Sequence, residues 1–190
     1  MDVYLIRHTR PNLQAGICYG QLDVELAADF DAEARRLAAC LALPRGAPVV
    51  TPLTQRCRRL AEFLAREHQA KLVVEDRLRE LDFGAWEGQP WDAIPRVQTA
   101  VWSRDIWNQS APQGESYASL HERVSAAWEA LLPVGGDALL IVGPAGPLRA
   151  LLTIALELPA EAFVRLHLDY GGIAKLSDST GGWRLEFSNR

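Results

Sequence analysis

The 190-residue chain holds only three cysteines, Cys18, Cys40 and Cys57, with no CxxC pair among them. That argues against a disulfide framework or a cysteine-based zinc site and fits a reducing compartment. No apolar run approaches the ~20 residues of a membrane span, and no basic region followed by an apolar stretch and a small-residue cleavage site opens the chain. The expectation is a cytoplasmic protein without a membrane partner. Excess positive charge is also missing: 20 Lys and Arg stand against 24 Asp and Glu, a formal net charge of -4. A broad basic face for nucleic acid is therefore not expected, and any anion site must be built locally from a few converging basic groups. There is no HxH or HExxH spacing, so no metal or other cofactor is implied. Repeats, low-complexity tracts and linkers are absent too, which points to one domain over residues 1–190. Nothing in the sequence bears on the oligomeric state.

What is present alternates. "DVYLIRH" is a short, continuously apolar, β-rich run, as a strand buried on both faces would be. "DFDAEARRLAACLAL" carries apolar residues at helical spacing, "APVVTP" is a short strand, and "LTQRCRRLAEFLAREHQ" is a strongly amphipathic helix. "KLVVE" is another strand. From Glu115 to Leu132 the pattern turns helical again, and "DALLIVG" is a buried strand. A Gly/Pro turn then leads into the helix "PLRALLTIALEL", with Pro147 expected at its first position. The tail, "VRLHLDYGGIAKLSDSTGGWRLEF", reads as three short strands joined by Gly-rich turns. Strands alternating with helices predict an α/β fold, a doubly wound, mostly parallel sheet with helices on both faces. In such sheets ligands bind beyond the carboxyl ends of the strands. Arg7 and His8 fall there, where the first strand gives way to a loop. An arginine offers a planar fork of donors to phosphate or carboxylate, and a histidine can act as nucleophile or base. The pair alone could equally be a surface arginine and a histidine satisfied by backbone.

The surrounding motifs narrow this. "RHT", "CYGQLDVEL", "TPLTQRCRRLAEFL", "LRELDFGAWEG" and "GES", in this order, resemble the histidine phosphatase superfamily, the phosphoglycerate mutase-like family. "LIRHTRP", "ICYGQLD" and "LDFGAWEGQPWDAIPR" look most like its α-ribazole-5'-phosphate phosphatase branch in cobalamin biosynthesis. The resemblance implies a phosphoglycerate mutase-like fold and a small phosphorylated substrate. It makes His8 the residue that attacks phosphorus and becomes phosphohistidine, and Arg7 the ligand of a non-bridging oxygen. Arg56 would be a second clamp near a helix start, where the dipole also favours an anion; a solvated helix face is the other reading, since Arg58 and Arg59 follow closely. Glu80 matches the family's proton donor, with Asp82 and Glu87 as neighbouring competitors. Thr9, Tyr19, Gly20 and Ser116 could touch substrate or be structural, Gly20 as a turn and Ser116 as a helix cap. Trp86, Trp91, Trp102 and Trp107 fall in a segment, about 84–114, that is a candidate lid over an aromatic leaving group or simply core packing.

One motif departs from the family. A second histidine is expected in the run after the fourth strand, and here that run is "IVGPAGPLR". Pro144 stands in the histidine's position; Val142, Ala145, Gly146 and Arg149 fit. Proline has no ionisable group and no N–H. Losing one preorganised donor at a charge-developing centre costs ~10²–10³ in rate, so slow turnover is expected. His167 could move into the gap, while His68 and His121, on expected helices, read as surface or satisfied. Phosphate binding at "GPAGPLR" as a P-loop is disfavoured, because the lysine and hydroxyl residue are missing. The leading expectation is a metal-independent phosphomonoesterase. The rivals are a catalytically degraded member that binds a phosphorylated metabolite or a partner protein, and a mutase.

Overall fold

A computed structural model describes residues Met1–Arg190. Six strands form one sheet: β1 (Asp2–Arg7), β2 (Val49–Thr51), β3 (Leu72–Val74), β4 (Ala138–Gly143), β5 (Ile173–Ser179) and β6 (Gly182–Phe187), in the order β3-β2-β4-β1-β5-β6. β3, β2, β4 and β1 run parallel, while β5 is antiparallel to β1 and β6 to β5. The sheet is thus mixed. The chain after the last helix returns as a hairpin along the β1 edge, which antiparallel strands can do through a tight turn.

The continuous apolar strands are explained by helices on both faces. In β1, Val3 and Leu5 point to one side and Tyr4 and Ile6 to the other; in β4, Leu139 and Ile141 oppose Leu140 and Val142. The first side packs on α4 (Tyr117–Leu131) and α5 (Ala145–Ala155), through Leu120, Val124, Leu148 and Leu151. The second packs on α1 (Phe30–Cys40) and α2 (Gln55–Glu67), through Leu37, Leu60 and Leu64. No helix is long and apolar enough to cross a membrane.

Three expectations are corrected. A helix, α3 (Arg96–Arg104), occupies part of the segment at about 84–114, where no helix is predicted; it buries no residue fully. The helix after β4 begins at Ala145, two residues before Pro147, whose missing N–H falls among those a first turn leaves unpaired anyway. The tail makes two strands rather than three. Residues Ala160–Arg165 coil into a 3-10 helix because Phe163 is buried and stacks on Tyr117, with ring centroids 3.6 Å apart.

Leu5 is fully buried with Leu148 and Leu151 in the core beneath α5. Leu5→Ala is expected to lower the unfolding free energy by about 2–5 kcal/mol in urea titrations, whereas a loss under about 1 kcal/mol would contradict its place in a close-packed core.

Candidate active site

The end of β1 is fixed from both neighbours. The His8 N–H donates to the Gly143 carbonyl of β4 at 3.0 Å, and the Gly171 N–H reaches the carbonyls of Arg7 and His8 at 3.1 and 3.2 Å. Gly171 adopts φ +65°, a conformation glycine accepts without steric cost. The His8 ring, in a residue only 1% exposed, lies below this turn. Its Nδ1 is 2.8 Å from the Thr9 carbonyl oxygen. A carbonyl only accepts, so Nδ1 carries the hydrogen and Nε2 keeps its lone pair. Burial, and then the charges of Arg56 and Arg7, push the imidazole pKa down to about 3 against the opposing pull of the Thr9 bond. The ring is neutral across the physiological range.

The two arginines are held by backbone. Arg56, in the first turn of α2 and fully buried, donates from Nη1 to the Leu22 carbonyl at 2.7 Å and from Nη2 to the Gly20 carbonyl at 2.6 Å. Arg7 donates from Nη1 to the Leu168 carbonyl at 2.7 Å. The Nε of each is buried without a protein partner, and neither is in an ion pair. Guanidiniums withdrawn from water without carboxylates carry a desolvation cost that an anion would offset. The solvated-face reading of Arg56 does not hold.

Two tyrosines cross above. Tyr19 and Tyr170 share a 2.5 Å hydrogen bond between their hydroxyls. The Tyr170 ring stacks on the Arg7 guanidinium, 3.7 Å from its centroid, and leans on the His8 ring at 5.5 Å. Tyr19 lies 5.3 Å from the Arg56 guanidinium, and burial together with the Tyr170 bond raises its pKa, so it stays a neutral phenol.

A cavity of about 380 Å³ opens at this point, lined by Arg7, Tyr19, Gly20, Glu80, Arg149 and Tyr170 among others. His8 and Arg56 lie beneath that lining rather than on it. Ile17, Phe83 and Trp91 complete the wall. A larger cavity of about 500 Å³, lined by Tyr4, Leu41 and Phe187 among others, contains none of these groups. No cluster of three or more His, Cys, Asp or Glu side chains is arranged to hold a metal ion.

Glu80 is the carboxylate of the cavity. Its Oε1 accepts from the Leu81 N–H at 2.9 Å and its Oε2 from the Gly146 N–H, in the first turn of α5, at 3.1 Å. A Cβ at residue 146 would collide with that carboxylate and push it aside. The competitors are engaged elsewhere. Asp82 Oδ1 accepts from the Gly84 N–H at 2.7 Å, closing a local turn. Glu87 receives the N–H groups of Gln21, Leu22 and Phe83 and so clasps the Gly20 loop. Thr9 is fully buried and meets His8 through its carbonyl; its Oγ1 has no partner. Ser116 caps α4, accepting from the Ser119 N–H at 3.2 Å, and does not line the cavity.

Pro144 follows β4 directly. The register pairs Arg7 with Gly143, so the next step sets Pro144 opposite His8. No histidine fills that place: His167 is exposed and bonds Asp169 at 2.9 Å, and His121 packs edge-on against Trp107. Among the tryptophans, Trp86, Trp91 and Trp102 pack on one another and on Phe83, while Trp107 joins Phe163. Only Trp91, 37% exposed, also reaches the cavity wall.

Residues 3–190 match the model of the histidine phosphatase superfamily (branch 1). The chain belongs to this superfamily. Among curated members of the superfamily, a probable phosphoglycerate mutase, GpmB, of Klebsiella pneumoniae is 31% identical over 190 residues, covering 96% of this chain and 87% of its own length. Among solved structures, the α-ribazole phosphatase of Shigella flexneri aligns with a TM-score of 0.89 at 23% identity, over 100% of this chain and 96% of that one. A mycobacterial glucosyl-3-phosphoglycerate phosphatase aligns with a TM-score of 0.86 at 23% identity, over 99% and 98%. At these identities the structural likeness speaks for the superfamily fold. Tyr170 was missed by sequence reasoning; its Gly171-Gly172 neighbours signal only a turn. Arg149 registered there only as a fit to the family's motif.

Because the folded-state pKa of His8 lies near 3 and its ordinary value is 6.5, the unfolded chain binds the extra proton between those limits. Stability is therefore complete above about pH 6.5 and lost as pH falls toward 3. Compared with His8→Asn, the wild type is expected to lose about 2–3 kcal/mol more between pH 7 and 4.5 in urea titrations. Identical losses in the two proteins would show that the ring is not buried in its neutral form.

Proposed function

We propose that this chain is a metal-independent phosphomonoesterase that works through a phosphohistidine on His8, with α-ribazole-5'-phosphate as its favoured substrate. One observation carries the reading: a buried, neutral imidazole whose Nδ1–H is tied to the Thr9 carbonyl and whose neighbours are the Arg7 and Arg56 guanidiniums. Nδ1–H bonding to Thr9 leaves the Nε2 lone pair free to attack.

In the first step Nε2 forms a bond to phosphorus and the bond from phosphorus to the ester oxygen breaks. Glu80 gives its proton to the departing alkoxide. In the second step water attacks the phosphorus and Glu80 takes a proton from it. The P–N bond then breaks, returning its electron pair to Nε2 and releasing inorganic phosphate. Arg7 and Arg56 bind the non-bridging oxygens throughout, where preorganised donors act most strongly on developing charge. Thr9 orients the ring through its carbonyl, and Gly20 lends its carbonyl to Arg56 and a side-chain-free turn to the wall.

The substrate choice rests on the rest of the cavity. Phe83, Trp91, Tyr19 and Tyr170 present aromatic surface, which suits a planar, apolar leaving group such as a benzimidazole nucleoside better than the small anionic acid of a mutase reaction. The similarity of fold to an α-ribazole phosphatase agrees with this choice. In this reading the segment at 84–114 belongs to the same single domain, and Trp91 is its contribution to a lid.

Pro144 favours a second reading, a degraded member that binds a phosphorylated metabolite or a partner protein without turning over. A panel of phosphorylated metabolites that includes α-ribazole-5'-phosphate separates the two. The phosphatase is expected to release a burst of alcohol and to carry acid-labile phosphate, both absent from His8→Ala. A His8→Ala rate equal to wild type would sink the mechanism. Binding without turnover in the wild type, together with activity gained on Pro144→His, would be the signature of the second reading.

A further inference from the structure

The place opposite His8 lacks an ionisable side chain, but the helix that starts there carries one a turn later. Arg149 lies three residues beyond Gly146 on α5, so the two share a face, and helical side chains lean toward the N-terminus. Arg149 and the Glu80 carboxylate that bonds the Gly146 N–H both lie close to Tyr117. Arg149 lines the same cavity as Arg7 and Glu80. It is in no ion pair, and its Nε is buried without a partner. The Tyr117 hydroxyl is a polar neighbour, on a ring held by stacking against Phe163.

We propose that Arg149 is a further catalytic residue, a third guanidinium that donates to the transferring phosphoryl group in place of the side chain missing at Pro144. The inference rests on the phosphatase reading. Charge supports it: Arg7 and Arg149 line the cavity, Arg56 lies beneath it, and Glu80 is the single carboxylate of the lining, leaving an excess of two positive charges for a phosphate monoester dianion. A guanidinium remains protonated throughout the reaction and needs no partner to hold its charge, whereas a histidine at that place would titrate near neutrality.

The test is a double-mutant cycle on positions 144 and 149 with p-nitrophenyl phosphate, an ester with no second anionic group. Arg149→Gln is expected to lower kcat by ~10² with a much smaller change in KM, and Arg149→Lys, which keeps charge but loses the fork, to fall between. Pro144→His is expected to restore rate in the Arg149→Gln background by roughly tenfold or more while changing the wild type less than about threefold, the coupling expected of groups sharing one task. The double variant should also gain a pH–rate limb between about pH 6 and 7 that the wild type lacks. Equal factors from Pro144→His in both backgrounds would overturn the proposal. So would an Arg149→Gln effect confined to the KM of substrates with a second anionic group, which would put the guanidinium on the leaving group. A wild type that forms no phosphoenzyme would overturn the phosphatase reading and this proposal together; equal factors in an enzyme that does form one overturn this proposal alone.

Discussion

The hydrogen bond between His8 Nδ1 and the carbonyl of Thr9 decides what the site can do. Without it the buried ring could turn or change tautomer; with it, one nitrogen is spent on structure and the other is left for chemistry. The bond exists because the chain bends sharply after β1, and the bend exists because Gly143 and Gly171 hold the backbone of residues 7 and 8 from opposite sides. Sheet topology is thereby converted into the orientation of one imidazole.

The guanidiniums follow the same logic. Arg56 joins α2 to the loop at 20–22, and Arg7 joins β1 to the segment before β5, each through carbonyl oxygens rather than carboxylates. Carbonyls orient a guanidinium without neutralising it. The positive charge stays available to an incoming anion, and the same charge helps keep His8 neutral. A carboxylate in place of the Gly20 or Leu22 carbonyl would hold the arginine as well but cancel the field that the proposed mechanism uses.

Much of this could be seen in the residue pattern because strand ends and helix starts are local features. "VYLIRH" and "DALLIVG" announce buried strands through continuous apolar runs, and "LTQRCRRLAEFL" announces α2 through its spacing, so residues 7, 8, 56 and 144 could be set at the rim in advance. What escaped depends on contacts distant in sequence. Tyr170 meets Arg7 and His8 only after the chain has wound through four strands and all five α-helices. The antiparallel direction of β5 and β6 follows from a hairpin returning along the β1 edge, which short apolar runs do not specify. "VRLHL" looks like a strand by alternation, but the stacking of Phe163 on Tyr117 coils the residues before it. α3 lies on the surface with no fully buried face, so its Val97 and Val101, both exposed, mark no core side.

Pro144 stands where the motif of the superfamily leads one to expect a histidine; just after it the Gly146 N–H bonds Glu80, which lines the cavity together with Arg149. In the proposed chemistry His8 is the nucleophile, Arg7 and Arg56 the anion clamps and Glu80 the proton donor, so the account depends first on which nitrogen of His8 accepts the phosphoryl group. Phosphorus–nitrogen coupling in NMR spectra of ¹⁵N-histidine-labelled phosphoenzyme reads that directly. Coupling to Nε2 of His8, with Nδ1 still protonated, is the expected result; phosphorus on Nδ1, or on any other residue, would contradict the account.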